Sequence, residues 1–116
     1  MANVQGSGQF AAPTGPGTLD AIAASAYTVP TGRRLQITDM TGGTADALGA
    51  IIYIRNNTAA TTLWQFFVST VVPQTIRLAA PIEVAAAVQV GISVEGLTGG
   101  VGNRIIASWS GRIESP

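Results

Sequence analysis

The sequence predicts an all-β protein: an antiparallel jelly-roll sandwich of about eight strands, with an extended N-terminal arm. Apolar and polar residues alternate with a period of two along several segments, as in strands with one buried face. Turn signals made of glycine, proline and asparagine separate these segments, and no segment has the periodicity of a long helix. Eight short antiparallel strands most simply form a jelly roll.

Residues 1–25 are the predicted arm. Residues 1–18 are rich in glycine and proline, carry no charged side chain and show no clear periodicity. Val4 and Phe10 are apolar residues that could lie on the surface of another protein, and a mobile terminus is the alternative. Residues 19–25 could form a helical turn capped by Thr18.

Residues 26–116 are the predicted jelly-roll domain. In the segment "AVQVGISVE" every second residue from Val88 to Val94 is apolar, and the segment from Ile105 to Ile113 repeats the pattern. Strands are expected at residues 25–30, 33–41, 49–56, 62–70, 74–79, 82–85, 87–95 and 103–114.

Two of these strands, "GAIIYIRN" and "TTLWQFFVST", are apolar on both faces. A sheet that packs on one core leaves its other face to water, so a second apolar face indicates a groove or a protein interface. We expect an interface between copies of the chain in a closed trimer or dimer, with the trimer favoured. The alternative is a central strand covered by loops of its own subunit. The candidate interface residues are Tyr53, Arg55, Leu63, Trp64 and Phe67.

The composition excludes most catalytic sites. The chain has no histidine, cysteine or lysine, which excludes a Ser-His-Asp triad, a thiolate nucleophile, a Schiff base and a nitrogen or sulfur zinc site. Paired carboxylates remain, with Asp39, Glu83 and Glu95 as candidates, but no spacing brings two of them together. Asp39 and Asp46 bracket a loop that could hold calcium, although an aspartate at a turn entrance is the simpler interpretation. We therefore expect no enzyme and no cofactor.

Charge is sparse and balanced. Charged residues make up 10% of the chain, and six arginines balance six acidic residues. A chain with no net charge does not attract a polyanion, so we expect no nucleic-acid partner. No apolar stretch reaches the length of a membrane span, and no secretory signal is recognisable, which predicts synthesis in the cytoplasm and no membrane partner. So little charge suggests that neighbouring molecules cover much of the surface.

The segment "YTVPTGRRLQITD", residues 27–39, resembles the opening of small jelly-roll proteins of tailed bacteriophages and related bacterial elements. The residues that carry this resemblance are Tyr27, Val29, Pro30, Gly32, Arg33, Leu35, Ile37, Thr38 and Asp39. Residues 76–96 are similar to the middle of such subunits and residues 105–114 to their closing strand. The resemblance covers about residues 27–114 and leaves out the arm.

This resemblance implies a structural virion protein, of the capsid decoration (cement), head-fibre or tail-tip type, commonly a trimer. Our first hypothesis is a trimer that decorates and stabilises a bacteriophage capsid on its outer surface. Its arm would dock on the major capsid protein through Val4, Phe10 and Leu19. The alternative is a phage tail or fibre tip, or a carbohydrate-binding module that recognises a receptor. The two tryptophans, Trp64 and Trp109, are the candidate sugar platforms, but both lie on predicted apolar faces.

Overall fold

A computed structural model describes residues 2–115, which form two four-stranded antiparallel sheets packed face to face. The strands are β1 (Ala2–Phe10), β2 (Asp20–Thr28), β3 (Arg34–Thr44), β4 (Ala50–Asn56), β5 (Thr61–Val68), β6 (Gln74–Val84), β7 (Gln89–Gly96) and β8 (Ile105–Glu114). These residues contain no helix, so no helix within residues 2–115 could span a membrane. The predicted all-β class is confirmed.

The strand order is that of a jelly roll. The first sheet has the order β1-β8-β3-β6, and the second has the order β2-β7-β4-β5. The strands pair as nested hairpins, with β1 against β8, β2 against β7, β3 against β6 and β4 against β5, all antiparallel. The predicted jelly-roll sandwich is therefore confirmed, and the core lies between the two sheets.

The core follows from the alternation seen in the sequence. On β7, the side chains of Val90, Ile92 and Val94 are fully buried, and on β8 those of Ile105 and Trp109 are buried with them. Their neighbours in sequence point to the outer faces of the sheets, because successive side chains of a strand alternate in direction. Period-two patterning thus fixes which face of each strand is buried.

The arm prediction for residues 1–25 is corrected, because residues 2–10 form β1. This strand pairs with β8 along its whole length, at the edge of the first sheet. Its inward positions include Gly6, where a Cβ atom would collide with the ring of Trp109, and Gly8, where it would collide with Ile22. Glycines at inward positions hide the alternation, since they carry no apolar side chain for a periodicity to detect.

The predicted helical turn at residues 19–25 is also corrected. The chain there is part of β2, which departs from the β7 ladder between Ile22 and Tyr27. Ser25 is fully buried in this bulge; its hydroxyl donates to the carbonyl of Ile22 (2.6 Å) and accepts from the amide of Ile92 (2.8 Å). The Ser25 hydroxyl thus gives partners to a carbonyl and an amide that the bulge removes from the ladder. These two hydrogen bonds offset the cost of the irregular strand.

The two short strands predicted at 74–79 and 82–85 are one strand, β6. Its pairing with β3 moves from Arg77 opposite Asp39 to Ile82 opposite Ile37, so four residues of β6 bulge out between them. Pro81 lies in this bulge, at the edge of the sheet, where its missing N–H leaves no ladder bond unmade.

Candidate functional site

Four loops meet at one end of the sandwich, which we call the loop end. They are residues 11–19, 45–49, 69–73 and 97–104, and each crosses from one sheet to the other. Backbone hydrogen bonds tie them together: the amide of Gly100 donates to the carbonyl of Pro13 (2.7 Å), and that of Leu97 to the carbonyl of Gly49 (3.1 Å). The fourth loop, residues 69–73, lies beside them, because Val71 lines a small concavity together with Ala45 and Arg104. The four loops therefore form one continuous surface.

Asp46 holds two of these loops in place. Its carboxylate accepts hydrogen bonds from the backbone amides of Leu48 (3.0 Å), Thr98 (2.8 Å) and Gly99 (3.0 Å). The residue is only 2% exposed. Neither Asp46 nor any other residue among 2–115 belongs to a group of three potential metal ligands. Asp46 thus orders the backbone of the loop end by satisfying three amides.

Burial is the largest single influence on the pKa of Asp46, and it acts to raise that pKa. The hydrogen bonds from Thr98, Gly99 and Leu48 together outweigh burial, so the pKa of Asp46 lies below its ordinary value. The carboxylate is therefore ionised at neutral pH, with its charge facing amide dipoles instead of solvent.

Large apolar side chains project into solvent at the loop end. Within residues 2–115 the exposed large apolar residues are Leu19, Leu48, Phe67, Val71, Val72 and Val101. Five of them lie in the four loops, and Phe67 lies at the end of β5 that enters one of these loops. Val72 is 74% exposed and Val101 is 94% exposed, so neither contributes to the core. Exposed apolar side chains gathered in one place mark an interaction surface.

The loop end carries almost no accessible charge. Its four loops contain two charged residues, Asp46 and Arg104, and of these only Arg104 is exposed. A partner that covers this surface would desolvate one charged group and several apolar ones. Such a surface fits burial against another protein better than it fits water.

The three predicted arm anchors have different positions. Val4 and Phe10 lie on β1 and pack, half-buried, against the core. Leu19 lies at the loop end and is 41% exposed. Of the three anchors, Leu19 alone is exposed, and most of the exposed apolar residues around it were not selected in the sequence analysis.

The predicted subunit-interface residues lie on the β4–β5 half of the second sheet. Tyr53 and Arg55 point to its outer face, since the alternate residues Ile52 and Ile54 are buried in the core. Arg55 donates to the hydroxyl of Thr62 (2.7 Å) on the neighbouring strand.

The three predicted interface residues on β5 differ in exposure. Phe67 is 53% exposed, whereas Leu63 and Trp64 are half-buried against the core. The ring of Trp64 packs against that of Phe66, with 5.6 Å between the ring centroids. Three of the five predicted residues, Tyr53, Arg55 and Phe67, thus lie on one outer face, and their role in a subunit interface stays a prediction.

Tyr53 belongs to a polar link between this outer face and the loop end. Its hydroxyl donates to Glu95 (2.6 Å), and the amide of Gly17 donates to the other oxygen of Glu95 (2.8 Å). Burial and the adjacent carboxylate raise the pKa of Tyr53 to about 12. The Tyr53 hydroxyl and the Gly17 amide lower the pKa of Glu95. Tyr53 is therefore neutral, and Glu95 charged, over the physiological pH range.

The tryptophans do not form an open sugar platform. Trp109 is fully buried, its indole N–H donates to the carbonyl of Ser25 (2.9 Å), and its ring meets that of Tyr27 edge to face. Trp64 is half-buried on Phe66. Both indoles serve packing, as their apolar faces in the sequence indicated.

Sequence reasoning missed most of the loop end. Leu48, Val71, Val72 and Val101 lie between strands, where apolar residues without periodicity have no assigned partner. The signal available in the sequence was the composition of these loops, which contain almost no charged residues but several large apolar ones. Loops are normally polar because they face water, so such a composition is informative.

Comparisons with known proteins give little. No family model matches the chain, and no curated protein sequence matches it. Thirteen chains of solved structures match. One belongs to the "Structure of infectious bursal disease virus Gt strain", with 14% sequence identity and a TM-score of 0.34. The match covers 97% of this chain and 30% of that chain. A TM-score this low does not establish a shared fold.

Proposed function

We propose that this chain is a structural virion protein that attaches to a capsid as a homo-oligomer, with its loop end against the major capsid protein. The observation that carries the proposal is the cluster of exposed apolar side chains at the loop end, in loops with one exposed charge. The proposal assigns no catalytic role to the chain and places it on the outer surface of a bacteriophage capsid, after synthesis in the host cytoplasm. The sequence resemblance over residues 27–114 supports the virion assignment.

The attachment surface differs from the arm expected from sequence. Residues 2–10 and 20–28 are strands of the two sheets, so they cannot reach out to a partner without breaking their ladders with β8 and β7. The loop end needs no such rearrangement, because its apolar side chains already face outward. Leu19 is the one predicted arm anchor that also belongs to the proposed loop-end attachment surface.

The loop end can supply enough free energy for a specific contact. Burying one exposed Val or Leu side chain gains about 1.5–3 kcal/mol, so burying the five that lie in the loops, without Phe67, gains on the order of 10 kcal/mol before costs. Association then opposes this with a loss of translational and rotational freedom of several kcal/mol. The remainder corresponds to a weak single contact, which an oligomer would multiply by binding through several subunits at once.

The outer β4–β5 face is the proposed contact between subunits, with Tyr53, Arg55 and Phe67 as its outward-facing members. Two aromatic residues and an arginine are the types enriched where proteins meet. We favour a trimer, because the resembling phage proteins are commonly trimers. A trimer would present three loop ends to one capsid surface.

The test is an add-back experiment with particles of the encoding virus assembled without this chain. Purified wild-type protein should co-sediment with these particles. The double variant Val72→Lys and Val101→Lys should bind at least about a hundredfold more weakly, because attachment would bury two unpaired ammonium groups. The matched control is Thr31→Lys, which adds the same charged group at an exposed turn at the opposite end of the sandwich.

Circular dichroism and thermal unfolding should show that all variants are folded, since each substituted side chain is exposed. Wild-type protein that fails to co-sediment would overturn attachment to the capsid. Equal binding by wild type and by the double variant would overturn the loop end as the attachment surface. A comparable loss in Thr31→Lys would do the same, because the effect would then come from charge alone.

A further inference from the structure

The outer face of the first sheet contains an open groove of about 430 Å³. It lies across three strands, with β8 in the middle and β1 and β3 on either side. Its polar lining residues are Asn3, Gln5, Thr38, Asp39, Ser110 and Arg112. Neither the proposed attachment nor the proposed subunit contact uses this face.

A β-bulge shapes the groove. The pairing of β3 with β8 moves from Ile37 opposite Gly111 to Asp39 opposite Ser110, so Thr38 is an extra residue on β3. A bulge re-aims the side chains beside it, and here Thr38 and Asp39 both line the groove. Bulges occur often at binding sites for this reason.

The Asp39 carboxylate is held in a fixed position. One oxygen accepts from the Thr38 hydroxyl (2.9 Å), and the other accepts from the Arg77 guanidinium (3.1 Å). The Thr38 hydroxyl first, and then Arg77, lower the pKa of Asp39 below its ordinary value. Asp39 is therefore an ionised, oriented acceptor with lone pairs left for a ligand.

The remaining groups around the groove are donors and acceptors with spare capacity. The side-chain amides of Asn3 and Gln5 are exposed and form no hydrogen bond among the bonds found for residues 2–115. Arg112 is positioned by Glu114 (2.9 Å) and Gln36 (3.1 Å). With one carboxylate and one guanidinium in its lining, the groove has no net charge and selects neither anions nor cations.

The same three strands form a further hollow beside the groove, at the next outward positions along each strand. A second concavity of about 330 Å³ is lined by Ser7 on β1, Ser108 on β8 and Thr41 on β3, together with apolar neighbours. On β8 the two concavities span residues 106–112, about 20 Å at the usual rise per residue. The shape thus suits a chain-like ligand rather than a single small ring.

We propose that this trough binds a neutral polysaccharide through hydrogen bonds to its hydroxyl groups. Each sugar hydroxyl can donate to Asp39 or to an amide oxygen and can accept from Asn3, Gln5 or Arg112. An extended peptide fits less well, because the backbone groups of β8 are already paired with β1 on one side and β3 on the other. The trough has no aromatic platform, so binding should be weak, in the millimolar range.

The test is electrophoresis of the purified full chain in native gels cast with dextran, mannan or galactomannan, with hyaluronan as the acidic comparison. Retardation by at least one neutral polysaccharide is expected, with none by hyaluronan. Gln5→Ala should weaken the retardation about three- to tenfold, the effect of removing one neutral hydrogen bond. Gln9→Ala is the matched control, because Gln9 is an exposed glutamine on the same strand outside both concavities.

Ser110→Ala should weaken binding like Gln5→Ala, since it removes a hydroxyl beside Asp39 without adding volume. Amide chemical-shift changes on titration with the bound polysaccharide should centre on residues 3–5, 38–39 and 110–112. The proposal is overturned if no neutral polysaccharide retards the protein, if hyaluronan retards it more strongly, or if Gln9→Ala weakens binding as much as Gln5→Ala. Capsid attachment is measured separately, so either proposal can fail alone.

Discussion

The two ends of the sandwich differ in surface chemistry, since one end is apolar and the other is charged. The loop end carries the exposed large apolar side chains found within residues 2–115, while its loops expose one charged residue. The opposite end, which we call the terminal end, contains the turns at residues 29–33, 57–60 and 85–88 and the end of β8. There Arg34 lies between Glu83 (3.6 Å) and Glu114 (3.9 Å), on three neighbouring strands.

This difference shows how a chain with so few charges distributes them. Ion pairs at a hydrated surface add little stability, so the charges of the terminal end serve chiefly to keep that end in water. The loop end has almost no exposed charge to hold water, and its buried acid, Asp46, orders the backbone instead. The two ends of the molecule therefore differ in polarity, and the proposed attachment to a capsid would place the loop end inward and the terminal end outward.

The largest expected effect is on the free energy of unfolding, when an acidic residue is removed from one end or from the other. Asp46→Ala should lower the free energy of unfolding by about 3 kcal/mol, because three backbone amides that are bonded to a carboxylate lose their acceptor. Glu83→Ala at the terminal end should lower it by at most about 0.5 kcal/mol, since the Glu83 side chain is 60% exposed. Urea unfolding followed by tryptophan fluorescence measures both, as Trp109 is buried in the core.

Equal losses in the two variants would contradict the comparison, because the acids of the two ends would then play the same role. Asp46→Asn is a useful intermediate. It keeps the shape and one acceptor oxygen but removes the charge, so its loss should lie between the other two.

Acid should weaken the loop end. The pKa of Asp46 is lowered in the folded protein, so its contribution is fully present above its unfolded value of 3.8 and is lost as pH falls through the lower folded value. The free energy of unfolding should therefore decrease below about pH 4, and less steeply in Asp46→Asn. The measurement is urea unfolding from pH 6 to pH 2.

Glu95 and Asp39 titrate in the same direction, because the pKa of each is also lowered, so Asp46→Asn should reduce the acid slope without abolishing it. The same slope in wild type and in Asp46→Asn would mean that Asp46 binds its proton equally well in the folded and the unfolded chain. The amides of the loop end would then not stabilise its charge.

A strand could be predicted from the sequence where its inward positions carry apolar side chains, because only these produce a detectable alternation. On β7 and β8 most inward positions carry apolar side chains, with Gly111 as the exception on β8, so the strands and their buried faces were predictable. On β1 the inward positions include Gly6 and Gly8, which fit only because Trp109 and Ile22 fill the space above them. That complementarity is tertiary, so no local pattern of residues 1–18 reveals it.

The same reasoning applies to the surfaces. The outward direction of Tyr53 and Phe67 follows from alternation along a strand. The loop end follows from topology, since residues as distant as Leu19 and Val101 come together only when four sheet-crossing loops share one end. The groove depends on the bulge at Thr38, which shifts the register by one residue. The alternation of residues along β3 does not predict this bulge.

The smallest expected effect concerns the ion pairs of the terminal end. The guanidinium of Arg112 lies 2.9 Å from Glu114, whose side chain is 19% exposed. In a double-mutant cycle with Arg112→Gln and Glu114→Gln, the coupling free energy should be about 0.5 kcal/mol, as for other surface pairs. Because solvent ions screen exposed charges, the coupling should shrink further in 0.5 M salt. A coupling of several kcal/mol that persists in salt would mean that the terminal end is desolvated in solution. The contrast with the loop end would then disappear, because both ends would lack hydrated charges.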